Sequence, residues 1–316
     1  ASGTYLYDYE REEYSSQMAE VLDIDIDKFA PIKNSYEPIG KIQKEIAEKL
    51  NLPLDIPVIA GGGDFIVSLL GLGLVGEGSA VDMTGTSTLF VVQKEEPIIH
   101  PLVQNLKHVI KGWVPFTMLD TGGLSMKWCK DFLDSVAKVS ISYEIMIQMA
   151  EKVPIGSEGL LFYPYMLGER RKENILAKGC FFGLSLNHEA CHMARSVMEG
   201  VALALGKDLQ NFKDLGVNID KVYCVGGATR NKLLYKIKAD VMNLPQILAG
   251  EPESSLRGCG LLAAYGLGLI NDLNSVAKLD DLNTQVISPD VDAHAEYEKI
   301  LEEFKKMYNF LLGYWT

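Results

Sequence analysis

Apolar residues along this chain gather in short runs set between glycine, proline and polar turns, with longer amphipathic stretches between them. The runs at 58–60, 80–83, 88–93, 114–118, 159–163, 222–225 and 246–248 predict strands. Apolar spacing of three and four predicts helices at 64–72, 124–136, 143–153, 187–215, 231–242, 254–267 and 292–312. Residues 108–111 predict a strand partner for 114–118, turned by Gly112, and the polar stretch 168–179 reads as a loop. Nearer the amino end, 4–7 and 10–14 predict a hairpin, and 15–22 and 39–50 predict short helices, the second closed by Asn51-Leu52-Pro53. The last third alternates strand and helix, which predicts an α/β fold.

Three of the strands run into glycine-rich turns. The first is Pro57-Val58-Ile59-Ala60-Gly61-Gly62-Gly63-Asp64, the second Thr84-Gly85-Thr86-Ser87-Thr88, and the third Val225-Gly226-Gly227-Ala228-Thr229-Arg230-Asn231. Glycine lets backbone N–H groups approach a polyanion, and successive amides form an anion-binding concavity. Asp64 has two readings, a helix N-cap or a general base at the exposed end of a strand. The hydroxyl-rich turn at Gly85 is either a phosphate-holding loop or an ordinary hairpin. Gly226-Gly227-Ala228 either admits a flat purine, with Asn231 in the first helical turn, or makes a tight strand-to-helix connection.

Composition narrows the field. The 316 residues could form about two domains and, at 47% hydrophobic, can build a large core. A net charge of −12 argues against a broad nucleic-acid interface, the basic clusters at 107–111 and 170–172 being small. The five cysteines form no Cys-x-x-Cys pair; Cys224 and Cys259 read as buried thiols, and a reducing cytoplasm fits. No apolar run is long enough to span a bilayer. The chain begins Ala1-Ser2-Gly3-Thr4 and reads as an excised or processed piece.

Two strings imitate other chemistry. His188-Glu189-Ala190-Cys191-His192 matches the zinc-hydrolase pattern His-Glu-x-x-His, a remote alternative because the segment opens a helix and no further ligand follows. Gly71-Leu72-Gly73-Leu74-Val75-Gly76 matches the dinucleotide pattern in the reversed helix-to-strand context and reads as a helix stop, echoed at Gly266-Leu267-Gly268. No Walker lysine loop is present, and no metal-ligating residue is singled out.

In order and spacing, several segments resemble the FGGY family of carbohydrate kinases, in its xylulokinase-like branch. They are Ala1 to Thr4 with Leu6-Tyr7-Asp8, the turns at Asp64 and Gly85, Gly122-Gly123 with Trp128, and 159–165 with Gly168-Glu169-Arg170. Phe182-Gly183-Leu184, Ala194-Arg195 with Glu199-Gly200-Val201-Ala202, the turn at Gly227, Asp240-Val241 with Leu244-Pro245, and Gly258-Cys259-Gly260 continue the match. The resemblance implies an actin-like (ribonuclease H-like) α/β fold. On this view the chain is the carboxy-terminal portion: 1–56 close a truncated amino-terminal sugar-binding domain, and 57–316 form a complete ATP-binding domain. It implies ATP with Mg²⁺ and a small sugar, a ketopentose such as xylulose. Asp64 would be the general base, and Gly85, Thr86, Ser87, Gly123, Gly226, Gly227, Ala228 and Asn231 would contact nucleotide. The chain alone would then be inactive for lack of the first domain, which a partner would supply; a homodimer is compatible. The alternative is an actin-like nucleotide-binding module without sugar chemistry. Phe65 after the presumed base and Arg171-Lys172-Glu173-Asn174 after Gly168-Glu169-Arg170 depart from the family pattern.

Overall fold

A computed structural model describes residues 1–4, 6–74, 77–169, 175–249, 253–273 and 284–315. Arg170, the 171–174 departure and Gly76 of the second glycine string lie outside the described residues. The amino-terminal part holds the hairpin β1 (Tyr7–Asp8) and β2 (Glu13–Tyr14), helix α1 (Ser16–Val21), strand β3 (Pro38–Lys41), helix α2 (Lys44–Leu50), strand β4 (Pro57–Ile59) and helix α3 (Asp64–Gly71). Then come β5 (Gly78–Thr84), β6 (Thr88–Val92), β7 (Gln104–Lys107), β8 (Trp113–Leu119), α4 (Gly122–Ala137), α5 (Tyr143–Glu151), β9 (Leu161–Tyr163) and β10 (Cys180–Phe182). The remainder comprises α6 (Ala190–Asp214), β11 (Ile219–Val225), α7 (Lys232–Met242), β12 (Gln246–Ala249), α8 (Ser254–Gly266), β13 (Thr284–Ile287) and α9 (Val291–Trp315).

Among the described residues seven strands form one mixed sheet in the order β13-β12-β11-β5-β6-β8-β7. β11 runs parallel to both β5 and β12, whereas β6 is antiparallel to β5 and β8. Central strands covered on both faces are expected to be apolar on both; β11 reads that way from Val222 on, and β5 does so apart from its buried Asp82 and Thr84. Val81 and Tyr223 pack with α3 and α8 on one face, while Ala80, Val222 and Cys224 pack with α6 and α7 on the other. Helices α3 and α8 touch backbone to backbone: a Cβ on Gly258 would lie 2.0 Å from the Val67 carbonyl oxygen. Both helices end alike, with Gly73 and Gly268 left-handed at φ 75° and 70°. The following N–H groups donate back to Leu69 and Ala264, the Schellman arrangement that the echoed glycines predict. Among the described residues no helix is long and apolar enough to cross a membrane.

Three expectations change, and one strand appears that none foresaw. Residues 38–41 are a strand rather than the start of a helix, because they pair antiparallel with β4 and Ile42 N–H donates to Ile56. β7 lies at 104–107, since His108 is drawn into the turn, its N–H donating to Gly112 and its Nδ1 accepting from Ile110. β13 has no apolar alternation and exists only as an edge strand paired with β12. Cys259 is exposed, because α8 buries the face of Gly258, Leu261 and Leu262 instead.

Candidate active site

The three strand ends β5, β8 and β11 deliver their turns to one place. β5 ends at Thr84, and the hairpin turns over Gly85 to Ser87, with Gly85 N–H donating to the Ser87 carbonyl at 2.9 Å. Helix α4 starts directly against this turn, Leu124 N–H donating to the Thr86 carbonyl at 2.9 Å. Contact is so close that a Cβ on Gly123 would sit 1.9 Å from the Gly85 carbonyl oxygen, and one on Gly122 1.9 Å from Thr88 Oγ1. Gly226, at φ 98°, closes from the other side, where a Cβ would lie 2.5 Å from the Thr84 carbonyl oxygen. No side chain fits at these three positions, so they are glycine for reasons of space.

Two cavities flank this ridge. One, of about 410 Å³, lies between α4, the start of α5 and the turn before α7; Met126, Ile147 and Leu234 give it apolar walls, with Gly85, Gly123, Gly227, Ala228 and Asn231. The other, of about 710 Å³, lies over the strand ends and is lined by Gly85, Ser87, Gly226, Gly227, Thr229 and Ser254 among others. Arg230 borders both, as the single cation among their described lining residues. Among the same described residues Glu144, in the first turn of α5, is the single carboxylate. Hydrogen bonds from Ser142 and from its own backbone hold its acid below the ordinary glutamate value. Asn231 is the N-cap of α7, its Oδ1 accepting from Leu234 N–H at 3.0 Å.

A polar network is sealed beneath the Gly85 turn. Lys238 of α7 and Asp82 of β5 are fully buried and paired, and Lys238 Nζ also reaches Thr84 Oγ1 at 3.0 Å. Thr84 Oγ1 donates to Asp82 and lies 3.1 Å from Thr88 Oγ1. Burial, with the Asp82 charge beside it, pushes the Cys224 thiol and the Tyr235 phenol well above their ordinary values.

Asp64 stands apart from this group. It is exposed at the first turn of α3, Gly63 being the cap, and its Oδ1 accepts from Phe65 N–H at 2.7 Å. The adjoining Gly61 to Gly63 line a third cavity of about 570 Å³, shared with residues 1–3, Lys107 and His108. Asp64 is not among the residues lining the two cavities at Gly85. Phe65, the departure beside it, packs edge-on against Phe116 of β8 at 5.5 Å.

Comparison with known proteins decides the family. Residues 80–267 match the model of the FGGY family of carbohydrate kinases, C-terminal domain, and residues 1–71 match its N-terminal domain. The chain belongs to the FGGY family of carbohydrate kinases. It is 30% identical to the xylulose kinase of Lactococcus lactis, over 98% of this chain and 62% of that protein. Among solved structures it is similar to the xylulose kinase from Rhodospirillum rubrum, with a TM-score of 0.88, 25% identity, and coverage of 98% of this chain and 63% of that one. The gluconate kinase from Lactobacillus acidophilus shares the fold at a TM-score of 0.90 and 23% identity. The chain thus spans about three-fifths of the length of the relatives it matches.

The FGGY matches carry the actin-like fold that the resemblance implied, but they correct one part of it. Sequence of both FGGY domains is present, so the expectation of a carboxy-terminal portion lacking its first domain, and of inactivity on that account, is not supported. The amino-terminal match runs to Gly71, past the boundary expected at 56, and takes in Asp64 and α3.

The zinc-hydrolase reading fails on geometry. Helix α6 begins at Ala190, with Glu189 as its cap, so His188 precedes the helix; the two rings lie 5.4 Å apart, but each is held by a local backbone contact and, among the described residues, no third ligand completes a metal site with them. His188 Nδ1 accepts from Ser185 N–H, and His192 Nδ1 accepts from Glu189 N–H in a capping box. Among the described residues no group of three His, Cys, Asp or Glu side chains could hold a metal. Two residues of the FGGY signature at 194–202 prove architectural: Arg195 and Glu199 form a buried network with Tyr297 of α9 and line neither cavity at Gly85, whereas Met198 of the same stretch accepts from Asn231 Nδ2 at 3.9 Å. Arg230, Lys238 and Asp82 were missed, because a lone cation after a glycine turn and a lysine inside a helix carry no local signal.

Proposed function

We propose that this chain acts in an ATP-dependent sugar kinase, transferring the terminal phosphoryl group of ATP to a hydroxyl of a small sugar, a ketopentose such as xylulose. The observation that carries the reading is the convergence of three glycine turns on one ridge with a cavity on each side. The apolar-walled cavity takes the base, between Met126, Ile147 and Leu234 and the Gly227-Ala228 turn, with Asn231 and Gly123 at its edge. The Gly85 turn, through the amides and hydroxyls of Thr86 and Ser87, with Gly226 and Arg230, faces the phosphates. Positioning and charge neutralisation supply most of the catalysis in phosphoryl transfer, so a fixed ridge of amides is the relevant machinery. Asp64 accepts the proton of the attacking hydroxyl.

Among the described residues no group of three His, Cys, Asp or Glu side chains could hold a resident metal, so Mg²⁺ would be held through the nucleotide phosphates. That ion supplies charge neutralisation when bound. The names of the relatives point to xylulose, and the free cavity beside Gly61 to Gly63 is the space into which such a sugar fits. The test is a panel of ketopentoses, aldonates and polyols with Mg-ATP, scored for sugar-dependent ADP release. Turnover with xylulose above the other sugars is expected. ATP hydrolysis indifferent to every sugar would overturn the reading in favour of a nucleotide-binding module.

A further inference from the structure

Resting on that nucleotide-site reading, we infer that the buried Asp82–Lys238 pair is a positioning device that sets the Gly85 turn against the Gly227 turn. The pair joins the two elements that carry them. Asp82 lies on β5, two residues before Thr84, and Lys238 lies on α7, whose N-cap is Asn231. Both side chains are fully excluded from solvent, so Lys238 cannot itself reach a phosphate.

Stability alone does not account for the pair. Its surroundings, Phe90, Cys224 and Tyr235, are buried, and two apolar residues of similar volume are often as stable as a buried ion pair. What apolar residues cannot do is hold a hydroxyl. Lys238 Nζ and Asp82 together fix Thr84 Oγ1, which contacts Thr88 Oγ1. The Thr84 carbonyl is the atom Gly226 closes on, and Thr88 Oγ1 is the atom Gly122 closes on. One network therefore reaches all three turns of the ridge. Two charges and two hydroxyls with mutually satisfied bonds also admit one arrangement, where an apolar contact admits several.

The experiment compares Lys238→Met, the double variant Asp82→Val with Lys238→Met, and Thr84→Val. Readouts are thermal midpoint, amide hydrogen exchange without ligand, and ADP affinity. Lys238→Met, which strands Asp82, lowers the midpoint, and the double variant restores it. In the double variant, exchange at the Gly85 and Leu124 amides rises about tenfold while the amides of β11 and β12 stay unchanged. The ADP dissociation constant rises about tenfold with it. Thr84→Val, which keeps the ion pair, shows the same exchange change in smaller degree, and stands in if the double variant does not refold. Wild-type exchange at Gly85 and Leu124 in a folded double variant or in Thr84→Val would overturn the inference. Raised exchange in a protein that binds no ADP would uphold the positioning role and overturn the nucleotide reading instead.

Discussion

Gly123 stands so close to Gly85 that a β-carbon on it would overlap the Gly85 carbonyl oxygen at 1.9 Å. The neighbour is backbone in a hairpin pinned by Leu124 N–H, so it cannot swing aside. Gly123→Ala therefore pushes α4 away from the turn. Overpacking of this kind costs about 1–3 kcal/mol of stability. ADP affinity falls by about tenfold or more, since base and phosphates would meet a displaced ridge. Calorimetric titration with ADP beside a urea unfolding curve checks both. Wild-type ADP affinity in Gly123→Ala would remove α4 from the nucleotide site.

Arg230 gives a charge-specific prediction. It is exposed, borders both cavities, and faces a protein whose net charge is −12. A phosphate there gains a charge-assisted bond, so Arg230→Met should weaken ADP binding by about tenfold, on the order of 1–2 kcal/mol. Adenosine, without phosphates, should bind both proteins within about twofold of each other. A parallel loss for adenosine would assign Arg230 to the base instead.

Asp64→Asn separates chemistry from nucleotide binding. A general base contributes about 10²–10⁴ in rate. Sugar-dependent turnover should fall by that order, while ADP affinity stays unchanged because Asp64 lies outside the lining of both cavities at Gly85. Near-normal turnover in this variant, measured by coupled ADP release, would refute the base assignment.

Period and turn chemistry in the sequence revealed the sheet, its glycine ends and nearly every helix, because burial on two faces writes long apolar runs. They did not reveal β13, whose four residues are held by pairing rather than by pattern. Nor did they expose Lys238, which reads as an ordinary helical cation until α7 is laid on β5. The string at His188 shows the reverse error. Spacing suggested a shared helical face, and a cap placed one residue inside the motif leaves His188 outside the helix. Local patterns report on backbone and burial, whereas sites are assembled by contacts distant in sequence.

Glu199 tests the architectural reading of the family signature. Its carboxylate accepts from Gly156 N–H, Arg195 Nε, Ser157 Oγ and Tyr297 OH at 2.8–3.0 Å. The first and third of these donors sit in a turn where Gly156, Ser157, Glu158 and Gly159 are all left-handed. Glu199→Ala leaves Arg195 buried without its carboxylate and frees a strained turn, a loss of about 3–5 kcal/mol. Thermal unfolding should show it. In the fraction still folded, ADP affinity should be unaltered, because Arg195, Glu199 and Tyr297 line neither cavity at Gly85.

His108 makes stability depend on pH. Burial in the turn after β7 lowers its pKa to about 4, partly offset by the Leu74 backbone. The unfolded chain titrates near the ordinary value of about 6.5. Between those values the unfolded state binds the proton and the folded state does not, so stability rises with pH across the window and is lost on acidification. For this one group the loss between about pH 7 and about pH 4.5 is roughly 2 kcal/mol. His108→Asn keeps an acceptor for Ile110 N–H and removes the titration, so its urea stability should fall less over the same interval. Equal acid sensitivity in the two proteins would show that His108 is already protonated in the folded state, and that other groups carry the pH dependence.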